Sequence, residues 1–153
     1  MFDTPGPRTQ SAKSTWARAR LPAAHTTDLL DESRFHALAA NPGLLADELR
    51  GLPSRQVVVL DEVQRVPALL NEVHRAIETD RRRFVLLGSS ARRLKTASAN
   101  LLAGRAVLET MWPLVPAELG ADFSLERVLR FGSLPVIWQA EDPRAALDAY
   151  VQL

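Results

Sequence analysis

Val57-Val58-Val59-Leu60-Asp61-Glu62 is the stretch on which the fold turns. Three valines and a leucine in succession, with no polar residue between them, describe a strand covered on both faces. A half-exposed strand alternates polar with apolar residues, so an unbroken run points to a parallel sheet. The run stops at two carboxylates. In open α/β sheets the carboxyl ends of the strands face the ligand crevice, so Asp61 and Glu62 arrive at the edge where such folds do chemistry. This is the Walker B pattern: Asp61 is placed to hold Mg²⁺, and Glu62 to orient and deprotonate the water that attacks a γ-phosphate. A strand followed by a solvated acidic turn is the alternative.

Working outward, residues 26–30 read as a short strand. Asp31 caps a helix through about Ala40, Asn41-Pro42-Gly43 turns the chain, and residues 44–50 form a second helix before Gly51. After Pro67 the apolar positions Leu69, Leu70, Val73, Ala76 and Ile77 recur at helical spacing and lead to a second apolar run, Phe84-Val-Leu-Leu87. Gly88-Ser89-Ser90 opens a further helical stretch through Lys95, Gly104 punctuates, and residues 106–112 read as another strand before Pro113. This alternation predicts a three-layer α/β fold, a parallel sheet with helices on both faces. Beyond Pro116 the pattern turns to short helices at 116–119, 125–130 and 143–153. The expected organisation is therefore a core over residues 1–115 and a helical extension over 116–153.

Ahead of the acidic strand, Gly6-Pro-Arg-Thr-Gln-Ser-Ala-Lys13-Ser14-Thr15 precedes a helix expected over residues 12–20. It approximates the phosphate loop G-x-x-x-x-G-K-[ST], in which backbone N–H groups wrap phosphates, Lys reaches the β/γ-phosphates and the following hydroxyl ligates Mg²⁺. Lys13 and Ser14 suit the last two tasks. Ala12 replaces the glycine before lysine, and one extra residue separates it from Gly6, so the loop departs from standard geometry. A backbone torsion that favours glycine costs alanine on the order of 1 kcal/mol. A Pro/Ser-rich start to the chain with no ligand is the competing reading.

Ser89 or Ser90, after an apolar strand, stands where a γ-phosphate sensor would, although serine at that place is also an ordinary helix cap. Arg105 after Gly104 has the charge for an arginine finger, or for a solvated surface position. Arg81, Arg82 and Arg83 with Arg92, Arg93 and Lys95 form a basic cluster with no interleaved aromatic residues, which weakens a nucleic-acid reading.

Composition narrows the remaining classes. The 153 residues suit about one domain, and a net charge of +1 supplies no global field for nucleic acid or membrane. Without cysteine there is neither disulfide nor thiolate metal site, and His25, His36 and His74 lack zinc spacing. No apolar run approaches the roughly 18 residues of a membrane span, and none resembles a signal peptide, so a cytoplasmic location is expected.

Taken together, Lys13-Ser14-Thr15, Val57-Val-Val-Leu-Asp-Glu-Val-Gln-Arg-Val-Pro67, Leu86-Leu-Gly-Ser-Ser90 and Leu102-Ala-Gly-Arg105 resemble a family of prokaryotic AAA-type P-loop ATPases. Gln64 and Pro67 are its most specific marks, since generic Walker B chemistry requires neither. The resemblance implies a RecA-like core with strand order 5-1-4-3-2, followed by a helical region and a C-terminal domain. It also implies ATP and Mg²⁺ held by Gly6, Lys13, Ser14, Thr15 and Asp61, with Glu62, Ser89, Ser90 and Arg105 serving hydrolysis. Against that pattern the strand before the loop is reduced to Met1-Phe2, and the last helix ends without a cap. The chain reads as cut at both ends. An inactive remnant that binds a protein partner or a second copy of itself is the alternative function, and a nucleic-acid module the third.

Overall fold

The computed structural model describes residues 12–89, 102 and 104–152. They fall into two compact units that divide between Val107 and Leu108. In the first unit the order is α1 (Ala12–Arg20), β1 (His25–Asp28), α2 (Glu32–Ala40), α3 (Gly43–Arg50), β2 (Val58–Asp61), a 3₁₀ turn (Val63–Arg65), α4 (Leu69–Asp80) and β3 (Phe84–Leu86). The three strands form one parallel sheet in the order β1-β2-β3.

The central strand accounts for the layering. Successive side chains of a strand point to opposite faces, so a run without polar residues requires cover on both. Val58 and Leu60 enter a core built with Leu38 of α2, Leu45 and Leu49 of α3, and Leu69, Leu70 and Val73 of α4. Val59 points the other way and packs with Ala17 of α1, Leu87 and Val85. The register repeats this division on the neighbour, Phe84 and Leu86 joining the first core and Val85 the second. Helices thus cover both faces, as expected from the sequence. Val58, Val59 and Leu60 are each at most 2% exposed, and a fully buried side chain of this kind is worth about 1.5–3 kcal/mol relative to its exposed state.

Local chemistry sets the helix ends. Asp31 accepts a hydrogen bond from the Arg34 amide at 3.1 Å and starts α2, as its sequence position predicts. The Arg34 guanidinium forks onto Glu48 with two 2.8 Å bonds, joining α2 to α3. Between α4 and β3, Arg82 is only 6% exposed. Its Nη1 donates to the Pro53 carbonyl at 3.0 Å and its Nη2 to those of Leu52, at 2.8 Å, and Leu49. It thereby satisfies carbonyls at the end of α3 and in the segment that follows.

The second unit holds α5 (Pro116–Leu119), a 3₁₀ turn (Gly120–Asp122), α6 (Leu125–Phe131), α7 (Pro135–Trp138) and α8 (Pro143–Val151). Ser124 caps α6 and Asp142 caps α8. The Arg127 guanidinium lies 4.4 Å from the centroid of the Trp138 ring and donates to the Trp138 carbonyl at 2.7 Å. This unit is helical, as read from the sequence. Residues 106–112, read as a strand, carry no ladder. Val107 is 85% and Trp112 74% exposed, and a strand needs a neighbour for its backbone groups, which this segment lacks among the described residues. The loop around Gly6, residues Met1 and Phe2 and the helix expected after Ser90, with Arg92, Arg93 and Lys95, lie outside the described residues. Among the described residues no helix is long and apolar enough to cross a membrane.

Candidate functional site

At the carboxyl edge of the sheet the chain stops being regular. Asp61 is the last residue of β2, and Glu62 takes the left-handed conformation, φ 57° and ψ 39°. For a residue with a Cβ this costs on the order of 1 kcal/mol, so something must hold it. Two features do. The Val63 amide donates to the Leu87 carbonyl at 3.1 Å, and the Val63 side chain is wholly buried. Strand β2 is thereby broken into the 3₁₀ turn while its end stays tied to the end of β3.

Strand parity then distributes the acidic groups. Asp61 lies two residues beyond Val59 and so shares the α1 face, and its register neighbour on β1 is Asp28. Ser14, 7% exposed in the first turn of α1, donates a hydrogen bond to the Asp61 carboxylate. The amino end of α1 therefore points toward the carboxyl edge of the sheet, the orientation that favours an anion. Lys13 sits beside Ser14 and is half-buried, while Thr15 is exposed.

Asp61 is 4% exposed, and its Oδ1 is buried with no hydrogen-bond partner among the described residues. Desolvation pushes its pKa above the ordinary carboxylate range. The charges of Asp28 and Glu62 push the same way, against the hydrogen bonds from Ser14 and the Glu62 amide. A buried, unmatched carboxylate oxygen beside a serine hydroxyl is a donor set that fits a hard divalent cation such as Mg²⁺, which takes oxygen ligands and is completed by water and phosphate. Among the described residues no group of three or more His, Cys, Asp or Glu could cage a metal unaided. A cation here would depend on ligands brought by a bound molecule.

Glu62 is engaged on the other side. Ser89 Oγ donates to Glu62 Oε2 at 2.9 Å, and Gln64 Nε2 donates both to that same oxygen and to Ser89 Oγ, the latter at 3.1 Å. Arg65 anchors the turn that carries them. Its Nη2 bonds Glu32 at 2.9 Å, its Nη1 donates to the Leu29 carbonyl, and its guanidinium lies 4.2 Å from the centroid of the Phe35 ring.

The structure thus gathers Ser14, Asp61, Glu62 and Ser89 at one edge, with Lys13 adjacent. It does not bring Arg105 there. Arg105 bonds Glu78 near the carboxyl end of α4, and that helix, starting just after β2, ends at the opposite edge of the sheet. Gly6 and Ser90 lie outside the described residues. Two members escaped the sequence reading. Asp28 ends a strand that was expected, but only the register sets it against Asp61. Gln64 drew attention as a family mark without acquiring a role, and its position two residues after Glu62 was the available signal.

No curated protein and no solved structure shows a significant match to the chain. A family model described as an AAA domain matches residues 6–120, a stretch that includes the whole sheet and every residue of the acidic edge. With most of its length matched in this way, the chain belongs to the AAA domain family, whose members are nucleotide-binding domains of ATPase type.

Proposed function

We propose that the chain binds Mg-ATP at the carboxyl edge of its sheet and hydrolyses it, with Asp61 in the Walker B position and Glu62 aligning the attacking water. The observation that carries this reading is the pairing of Ser14 with Asp61, which leaves Asp61 Oδ1 buried and unmatched at the amino end of α1. A buried polar atom without a partner costs about 1–3 kcal/mol. A cation that completes the set would offset that penalty. Bound Mg²⁺ would supply charge neutralisation between phosphates; every other part of the work falls to the chain.

Lys13 would meet the β- and γ-phosphates from the first turn of α1, where the helix dipole adds to its charge. Ser14 and Asp61 would hold the cation. Glu62, turned out of the strand by its left-handed backbone, is presented beyond Asp61, where its carboxylate can take a proton from water. Ser89, bonded to Glu62, would report the γ-phosphate. Residues 1–115 would form the ATPase core and residues 116–153 the helical extension moved by it. Arg105 is held away from this edge within its own chain, so a finger role would belong to a second copy's site.

Calorimetric titration with Mg-ATP tests the proposal. Saturable binding is expected, weakened about ten- to a hundredfold by Lys13→Ala, the loss of one charge-assisted contact, and retained by Glu62→Gln. Absence of binding by a folded chain would defeat the ATPase reading. It would leave the second one, a protein-interaction remnant, which draws support from the exposed Val107 and Trp112.

A further inference from the structure

Gln64 is half-buried, and its side chain folds back from the 3₁₀ turn onto two residues of the acidic edge. The hydrogen bonds among the three form a closed ring. A primary amide has two N–H donors, and each here has its own acceptor, Glu62 Oε2 and Ser89 Oγ. The serine hydroxyl has one hydrogen, and it goes to Glu62 Oε2 at 2.9 Å. Both donations to the glutamate fall on one oxygen, so the carboxylate is fixed in direction while Oε1 takes no part in the ring. A charged acceptor makes these bonds stronger than neutral ones.

We infer that Gln64 is a positioning residue for Glu62, holding its carboxylate so that Oε1 faces the water to be activated; this rests on the ATPase reading above. The arrangement suits the chemistry. The left-handed backbone at Glu62 aims the side chain out of the sheet but leaves its own torsions free, and a glutamate loses much rotamer freedom on being fixed. Gln64 and Ser89 impose that restriction before the reaction, which is what an aligned general base requires. Glutamate at position 64 would set a second acceptor against the first, asparagine falls a methylene short, and an apolar residue donates nothing.

The test compares Gln64→Met and Gln64→Glu with the unaltered chain and with Glu62→Gln, reading Mg-ATP affinity by calorimetry and turnover by phosphate release. Gln64→Met is expected to lower kcat about tenfold with the dissociation constant changed less than about twofold, and Gln64→Glu to lower kcat further. Methionine keeps the length and apolar stem of the side chain, so folding is preserved, and thermal unfolding of each variant verifies this. If kcat is unchanged in both variants while Glu62→Gln abolishes turnover, the positioning role is overturned and the ATPase reading stands. If affinity and kcat fall together, Gln64 serves only to hold the turn, and the inference is overturned in that way. If the unaltered chain turns over no faster than Glu62→Gln, the ATPase reading itself fails and the inference goes with it.

Discussion

The two edges of the sheet bury charge in opposite ways. At the amino edge Arg82 is sunk to 6% exposure, and its two terminal nitrogens are spent on three backbone carbonyls, with only Nε left over. At the carboxyl edge Asp61 is sunk to 4% exposure among like charges, Asp28 and Glu62, with one oxygen unmatched. A buried cation that donates to the ends of other elements joins the fold together. A buried anion crowded by anions strains it, and is tolerated where a ligand completes the set. The contrast separates a structural charge from one poised for binding.

The largest effect should come from Glu62→Gln. Phosphate release is expected to fall about a hundred- to ten-thousandfold with the unfolding midpoint nearly unchanged, since the exchange removes a base and leaves the shape. A comparable loss of stability would break the contrast, because it would make the carboxyl edge structural as well.

Arg82→Leu should do the reverse. Three carbonyls lose a donor, those of Leu49 and Pro53 keeping the backbone amides of Leu52 and Gln56, and urea unfolding should show about 3 kcal/mol of lost stability, with Mg-ATP affinity retained by the fraction that remains folded. A loss below about 1 kcal/mol would mean that water replaces the guanidinium without difficulty, and that the amino edge is not held by it.

Asp61 sharpens the comparison through pH. Its folded pKa lies above the unfolded value, chiefly because burial disfavours the charge, so the folded state binds the proton more tightly than the unfolded state does. Stability of the nucleotide-free chain should therefore decline as pH rises from about 4, the unfolded value, through the raised folded value, and stay lower above it. Asp61→Asn should flatten that decline and raise the neutral-pH melting temperature by a few degrees while abolishing Mg²⁺-dependent nucleotide binding. Urea midpoints measured at several pH values decide the sign.

The smallest effect belongs to Arg105→Ala. Its ion pair with Glu78 joins two exposed side chains, and water screens such pairs almost completely. No measurable change in melting temperature is expected. A clear shift would show that the amino edge draws on more than Arg82.

Much of this was legible in the chain itself, and for local reasons. The unbroken run from Val57 to Leu60 announced a strand covered twice, the apolar spacing after Pro67 announced α4, and Asp31 announced the start of α2. Asp61 and Glu62 were read as site residues because strand ends in such folds meet ligands. Residues 106–112 misled, since β-propensity describes a fit to neighbours and none pairs with them among the described residues. The left-handed turn at Glu62 had no glycine to betray it; it depends on Val63 being drawn into the core and bonded to Leu87.

The sequence by itself determined the element types, the two-sided burial of the central strand and the chemical identity of the acidic edge, because these follow from periodicity and side-chain type within a few residues. The tertiary structure alone decided that Asp28 stands against Asp61, that Ser14 reaches it from α1, and that Gln64 closes a ring with Glu62 and Ser89. Those relations depend on strand register and on a turn locked by packing. Both are settled by contacts between segments distant in sequence, and a slip of one residue in β2 would have sent Asp61 to the opposite face, away from Ser14.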